Sequence, residues 1–212
     1  MMESFTEKLK QRYDQWKNTT TFSGATVEDI EQHYEHTGER GQKDAALYGL
    51  QLAVDAHVEG EIDEEEFEDV LDSAVSHVEN YYFDAGHEEE LALPDTEKET
   101  KAFLLQDNHD IHEHFHRDMQ EYDGDPDTVV AVASGGLEPG IIAAEEFDAE
   151  LQIIRYSKWR VGDDDVHDLG DTQDYEGRDL LVVEDKDGDT MDRVVDYLET
   201  KDPASIDTTS IV

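Results

Sequence analysis

Residues 128–147 read TVVAVASGGLEPGIIAAEEF and set the class of fold. The first six residues form an unbroken apolar and β-branched run, which is typical of a strand buried on both faces. A serine and two glycines follow as a tight turn, and the apolar-rich run after them predicts a helix. A strand, a glycine turn and a helix in this order predict one unit of a parallel sheet.

The same alternation of strands and helices continues to the carboxyl end. Strands that alternate with helices predict an α/β fold with a parallel sheet and right-handed crossovers. A long polar loop is predicted over 161–177. The further elements predicted from apolar runs are strands over 151–157, 178–185 and 206–212, and a helix over 190–200.

The region before the sheet is helical by its pattern. An amphipathic helix is predicted over 3–18, and the apolar run 43–58 predicts a buried helix that stops at Gly60. Asp63 then caps a further helix, so the two form a helical hairpin. We divide the chain into a helical region, 1–98, which could serve as a hood or an interaction region, and an α/β domain, 99–212, which begins with a helix over 99–122.

Residues 55–66 resemble a calcium-binding loop between two helices in the spacing of their oxygen-bearing side chains. His57 stands where such a loop needs an oxygen ligand. Gly60 and Asp63 are also explained as a helix stop and a helix cap. We therefore interpret the segment as a plain hairpin.

Three histidines, His109, His112 and His116, share one face of a predicted helix at spacings of three and four residues. This spacing suits a zinc ion, which makes them weak candidates for metal ligands. No carboxylate is fixed beside them by spacing, and histidines that flank an apolar stripe commonly pack against the core. The packing interpretation is preferred.

The charge of the chain restricts the classes of partner that it can bind and the kind of cell in which it is expected. Lys and Arg number 16 against 57 Asp and Glu, for a net charge of −41. So few cations cannot form a nucleic-acid footprint. Molar salt would screen the repulsion between the carboxylates, so we expect a salt-accumulating organism. The absence of a long apolar run, of a signal peptide pattern and of cysteine predicts a cytoplasmic protein without a membrane partner or a disulfide.

The residues that could bind a ligand lie at the ends of two predicted strands. The first strand ends in the turn 134–137, whose glycines allow backbone amides to approach an anion. The third ends in Glu184 and Asp185, which suit two ribose hydroxyls or a magnesium ion with its waters. In parallel sheets, ligands bind outside the carboxyl ends of the strands. Each feature alone has a simpler explanation, because a tight turn needs glycine and this chain is acidic throughout.

Together and in this order, the two features resemble the type I phosphoribosyltransferase family. The matching segments are the turn VAVASGGLEPG, the second strand IIRYSKWR and the signature LLVVEDKDGDTM with its lead-in YEGRD. The resemblance covers roughly 99–212. It implies an enzyme that uses magnesium and phosphoribosyl pyrophosphate to transfer phosphoribose to a nitrogenous base.

The resemblance also implies roles for individual residues. Glu184 and Asp185 would hold the ribose hydroxyls and magnesium. The loop Asp187, Gly188, Asp189 and Thr190 would bind the 5′-phosphate. The turn Ser134, Gly135, Gly136 and Leu137 would bind the pyrophosphate, whose charge the cations Arg155, Lys158 and Arg160 would neutralise.

The signature departs from the family pattern at one point. The family signature is two apolar residues followed by Glu-Asp-x-x-Asp-Thr-Gly. Its Asp-Thr-Gly becomes Asp189-Thr190-Met191 if one residue is inserted, so the glycine is missing at its usual place. Asp187 and Asp192 add like charge where a phosphate would bind. This departure motivates an alternative of another class, a non-catalytic nucleotide- or phosphate-binding regulatory protein of the same fold. A helical calcium or zinc module is a third and weaker interpretation. The acceptor base and the choice between monomer and homodimer stay open.

Overall fold

The computed structural model describes residues 24–86, 90–100, 109–156, 166–169, 175–186 and 188–211. The helix predicted over 3–18 lies outside the described residues.

The sheet has five strands in the order β3-β2-β1-β4-β5. Strands β1, β2, β4 and β5 are parallel, which confirms the predicted α/β class, and β3 is antiparallel to β2. Because β1 and β4 are parallel neighbours, their carboxyl ends meet at one edge, called here the carboxyl edge. The strands are β1 (Thr128–Ala133), β2 (Glu150–Arg155), β3 (His167–Leu169), β4 (Asp179–Glu184) and β5 (Ser205–Ser210).

The short strand β3 corrects the prediction of an uninterrupted polar loop over 161–177. His167 pairs with Arg155 and Leu169 with Ile153, so β3 covers the outer edge of β2. Only Leu169 of its three residues is buried. A strand this short cannot show the alternation by which strands are recognised in a sequence.

Six helices lie in the described ranges. The hairpin predicted between residues 58 and 64 is confirmed: Gly60 has a φ of +71° just after α2, and Asp63 accepts a hydrogen bond of 3.1 Å from the Glu66 amide at the start of α3. The helices are α1 (Val27–Glu35), α2 (Glu39–Val58), α3 (Glu64–Phe83), α4 (His109–Gln120), α5 (Leu137–Phe147) and α6 (Asp189–Glu199).

The helix expected over 99–122 does not begin at residue 99. The Thr100 amide donates to the carbonyl oxygen of Ala25 at 2.8 Å, and the Gly24 amide donates to that of Thr100 at 2.6 Å. Residues 99 and 100 are therefore not helical, Thr100 is tied to the segment before α1, and α4 is described from His109 onward.

The helical region and the sheet share a core. One hydrophobic cluster joins Leu50 of α2 and Phe67 of α3 to Val129, Leu181 and Ile141 on one side of the sheet. A second cluster packs α6 against the opposite side. The division near residue 98 remains a prediction about the sequence, but the apolar packing is continuous across it.

None of the helices in the described ranges combines the length and the apolar composition needed to cross a lipid bilayer.

Candidate functional site

The turn after β1 is compact. The Gly136 amide donates to the Val132 carbonyl oxygen at 2.8 Å, and the Leu137 amide donates to that of Ser134 at 3.3 Å. These bonds reverse the chain at once, so α5 begins directly at the carboxyl edge. Ser134 and Gly135 are half-buried, whereas Gly136 is buried.

The two glycines are needed for space. A Cβ on Gly136 would overlap the carbonyl oxygen of Val183 in β4 and lie 2.8 Å from that of Val132. A Cβ on Gly135 would lie 2.7 Å from the Cβ of Asp185 and 2.6 Å from its Oδ2. The turn after β1 therefore lies directly against the end of β4. The two features singled out in the sequence are in contact at the carboxyl edge.

The acidic pair completes this edge. Glu184 is the last residue of β4, and both Glu184 and Asp185 are half-buried. Burial raises the pKa of Asp185, although the positive charges of Lys186 and His112 and two backbone N–H groups act in the opposite direction. Because burial disfavours the charged form of Asp185, hydroxyl donors or a cation would be favourable partners for its carboxylate.

The start of α6 follows the acidic pair. Gly188 and Asp189 are exposed and Thr190 is half-buried, and Gly188 caps the helix without a side-chain hydrogen bond. Asp189 and Asp192 both lie in the first turn. Asp187 lies outside the described residues.

Of the three cations proposed for the pyrophosphate, only Arg155 lies in the described part of the chain. Its Nε is 3.3 Å from Oδ1 of Asp55 in α2, and its side chain is buried. The charge of Arg155 is thus balanced within the protein. Sequence reasoning missed this pairing because the two residues are 100 positions apart.

Helix α2 makes two more contacts at this edge that the sequence analysis missed. The side chain of Gln51 donates to the Ser134 hydroxyl at 3.4 Å, and Lys43 forms an ion pair with Glu138 in the first turn of α5. The available signal was the recurrence of polar residues at multiples of four within an apolar run.

Glu138 is the centre of a buried polar cluster behind the turn. It accepts a hydrogen bond of 2.8 Å from the Tyr82 hydroxyl, and its Oε2 lies 3.6 Å from Nδ1 of His112. Burial would raise the pKa of Glu138, but the charges of His112 and Lys43 and the hydrogen bonds from Lys43 and Tyr82 hold it at about 2. The beginning of α5 is therefore fixed to α2, α3 and α4.

The histidines proposed as weak metal candidates contact separate carboxylates. His112 lies beside Glu138, whereas Nε2 of His116 lies 3.2 Å from Oε2 of Glu146. The side chain of His109 lies outside the described residues. Within the described ranges, no group of three His, Asp or Glu side chains is arranged to hold a metal ion on its own.

Comparison with known families gives a match over half of the chain. The model described as the phosphoribosyl transferase domain matches residues 103–212. The matched part contains β1 to β5, the glycine turn and the acidic pair. No curated protein matches the chain at a significant level.

Several solved structures are similar to just under half of the chain. A purine phosphoribosyltransferase from Pyrococcus horikoshii is 18% identical, with a TM-score of 0.38 over 47% of this chain and 68% of that one. A hypoxanthine-guanine phosphoribosyltransferase from Bacillus anthracis is 19% identical, with a TM-score of 0.35 over 47% of this chain and 62% of that one. A hypoxanthine phosphoribosyltransferase from Trypanosoma cruzi is 23% identical, with a TM-score of 0.34 over 46% of this chain and 61% of that one.

Proposed function

The chain belongs to the phosphoribosyl transferase domain family, and from that premise we propose that it binds phosphoribosyl pyrophosphate with Mg²⁺ and transfers phosphoribose to a nitrogenous base. The observation that carries the proposal is the contact between the Gly135 turn and Asp185. The glycine turn and the pair of carboxylates lie at one edge, and a ligand with a pyrophosphate next to a ribose would contact both.

The residues take separate roles in this proposal. Glu184 and Asp185 accept hydrogen bonds from the ribose hydroxyls. The amides of Ser134 and Gly135 are the first contacts for the pyrophosphate, because those of Gly136 and Leu137 donate within the turn. The start of α6, from Gly188 to Thr190, receives the 5′-phosphate through its backbone N–H groups.

The carboxylate pair fits Mg²⁺ better than a metal that needs a full protein cage. Magnesium commonly binds through one or two carboxylates and takes its other ligands from substrate phosphates and water. Glu184 and Asp185 would hold it together with the ligand. When bound, the ion would offset the charge of the pyrophosphate leaving group.

The proposed reaction is a displacement at the anomeric carbon of the ribose. The bond from that carbon to the pyrophosphate oxygen breaks, and pyrophosphate leaves with the electron pair. A bond to a nitrogen of the base forms, and that nitrogen loses its proton. The protein contributes positioning and charge stabilisation of an oxocarbenium-like state.

A second candidate is a non-catalytic regulatory protein that binds a nucleotide or phosphate at the same edge. The observation in its favour is that Asp189 and Asp192 both lie in the first turn of α6. Their negative charges oppose a phosphate dianion there unless a cation lies between them.

Calorimetry with phosphoribosyl pyrophosphate and Mg²⁺ in molar KCl tests the site. We expect the wild type to bind and the double variant Glu184→Ala/Asp185→Ala to lose binding. The matched control is Asp123→Ala/Asp125→Ala, which removes the same charge from an exposed turn before β1, at the opposite edge. Equal affinity in the wild type and the site variant would refute the assignment.

Release of pyrophosphate separates the two candidates. An enzyme releases pyrophosphate when a suitable nucleobase is added to the bound complex. A regulatory protein raises its melting temperature with the ligand but releases none with any base.

A further inference from the structure

Helix α2 carries a row of buried polar side chains, at positions where apolar side chains could equally pack. Lys43, Gln51 and Asp55 are 5%, 3% and 6% exposed. They are spaced by eight and four residues, which places them within about a third of the helix circumference at 3.6 residues per turn. Burying such groups is costly unless each has a partner.

All three partners lie at the carboxyl edge. Lys43 contacts Glu138 in the first turn of α5, Gln51 contacts Ser134 in the turn, and Asp55 contacts Arg155 at the end of β2. Arg155 is paired in register with Ala133, the residue directly before Ser134. The row therefore follows the edge from the end of β2 to the start of α5.

We propose that Gln51 is a positioning residue for the pyrophosphate turn, and that α2 thereby sets the affinity for the pyrophosphate end of the ligand. The inference rests on the proposed function. The Gln51 side-chain amide donates to the Ser134 hydroxyl at 3.4 Å and so orients the Ser134 side chain in the half-buried turn. The flanking ion pairs of Lys43 and Asp55 hold the helix in place on either side.

The proposal predicts selectivity between ligands. Pyrophosphate and phosphoribosyl pyrophosphate both use the turn, whereas ribose 5-phosphate uses the acidic pair and the start of α6. A change at Gln51 should weaken the first two and leave the third as it was. General damage to the fold would weaken all three.

The test measures the affinity of each ligand by calorimetry with Mg²⁺ in molar KCl. Gln51→Leu removes the hydrogen bond, and we expect an affinity about three- to tenfold lower for the two pyrophosphate ligands. Gln51→Glu places a carboxylate beside the turn, so its loss should be larger. Gln120→Glu is the matched control, because it adds the same charge at an exposed position on α4, two residues before Tyr122, whose hydroxyl donates to Asp207 of β5.

Ser134→Ala removes the other partner of the same hydrogen bond, and it replaces a Gln51 variant in the test if that variant does not fold. It should show the same selective loss, and adding Gln51→Leu to it should cost little more. Equal losses for all three ligands, or unchanged affinities in variants of a wild type that binds, would overturn the role of Gln51. A wild type that binds none of the ligands would overturn the proposed function and this inference with it.

Discussion

Gly135 and Gly136 are neighbours, but a methyl group on each should have a different effect. On Gly136 it would meet the backbone of β4, which cannot move without disturbing the sheet. On Gly135 it would meet the side chain of Asp185, whose carboxyl group can rotate away but whose Cβ, 2.7 Å from the added atom, moves only with the backbone. Glycine at position 136 is therefore required mainly by the fold, whereas glycine at position 135 is required mainly by the proposed ligand site.

We predict that Gly136→Ala lowers the free energy of unfolding by about 3 kcal/mol, the upper range for overpacking. Gly135→Ala should cost less stability than Gly136→Ala, because part of its clash is with a side-chain carboxyl group, and it should weaken binding of phosphoribosyl pyrophosphate. Denaturant titration and calorimetry in molar KCl measure the two effects. Gly38→Ala is the control, because nothing lies within 4 Å of its added Cβ. Unchanged binding of phosphoribosyl pyrophosphate by Gly135→Ala would contradict the proposed contact of Asp185 with the ligand.

At the scale of elements, α3 and α5 bring two glutamates together. Burial, a hydrogen bond with Glu79, and the charges of Glu79 and Asp148 raise the pKa of Glu145 to about 7. In the unfolded chain, the same group titrates near its ordinary value of 4.5. The folded protein therefore holds an extra proton between these two values, and its free energy of unfolding falls as pH rises through that interval.

Glu145→Gln should consequently raise the melting temperature at pH 8. We expect about 2–4 °C, on the order of 1 kcal/mol, because solvent screens this half-buried pair. Melting curves from pH 4 to pH 8 should also become flatter in the variant. Glu146→Gln is the control, since Glu146 contacts His116 rather than Glu79. A variant that melts at or below the wild-type temperature at pH 8 would show that the two carboxylates do not repel each other.

At the scale of the whole molecule, a net charge of −41 opposes compaction in dilute solution. Molar salt shortens the Debye length to about 3 Å and removes most of this repulsion. We predict that the melting temperature falls steeply as KCl is diluted and that the chain unfolds at low salt. Circular dichroism over a KCl series measures this, with sucrose at equal osmolality as the uncharged control. A native spectrum in dilute buffer would contradict the prediction.

The sequence was sufficient for features that depend on neighbouring residues and on topology. Strands β1 and β4 follow from their apolar runs. The meeting of Gly135 with Asp185 follows from the rule that parallel strands end at one edge. The helical hairpin around Gly60 follows from its stop and cap signals.

Other features depend on packing between distant segments, and the sequence does not show which residues of those segments pair. Asp55 pairs with Arg155, and Gln51 reaches Ser134 across 83 positions. Which polar residue of α2 meets which residue of the edge is decided by how the helix lies on the sheet. For the same reason Arg155, a candidate cation by position, lies in a buried ion pair within the protein.

The most direct test of the central claim is a crystal structure of the protein grown in molar KCl with phosphoribosyl pyrophosphate and Mg²⁺. We predict that the ribose hydroxyls lie within hydrogen-bond distance of Glu184 and Asp185, about 2.6–3.2 Å, with the pyrophosphate against Ser134 and Gly135. A ligand bound elsewhere, or a carboxyl edge filled by the protein's own side chains at saturating ligand, would contradict it.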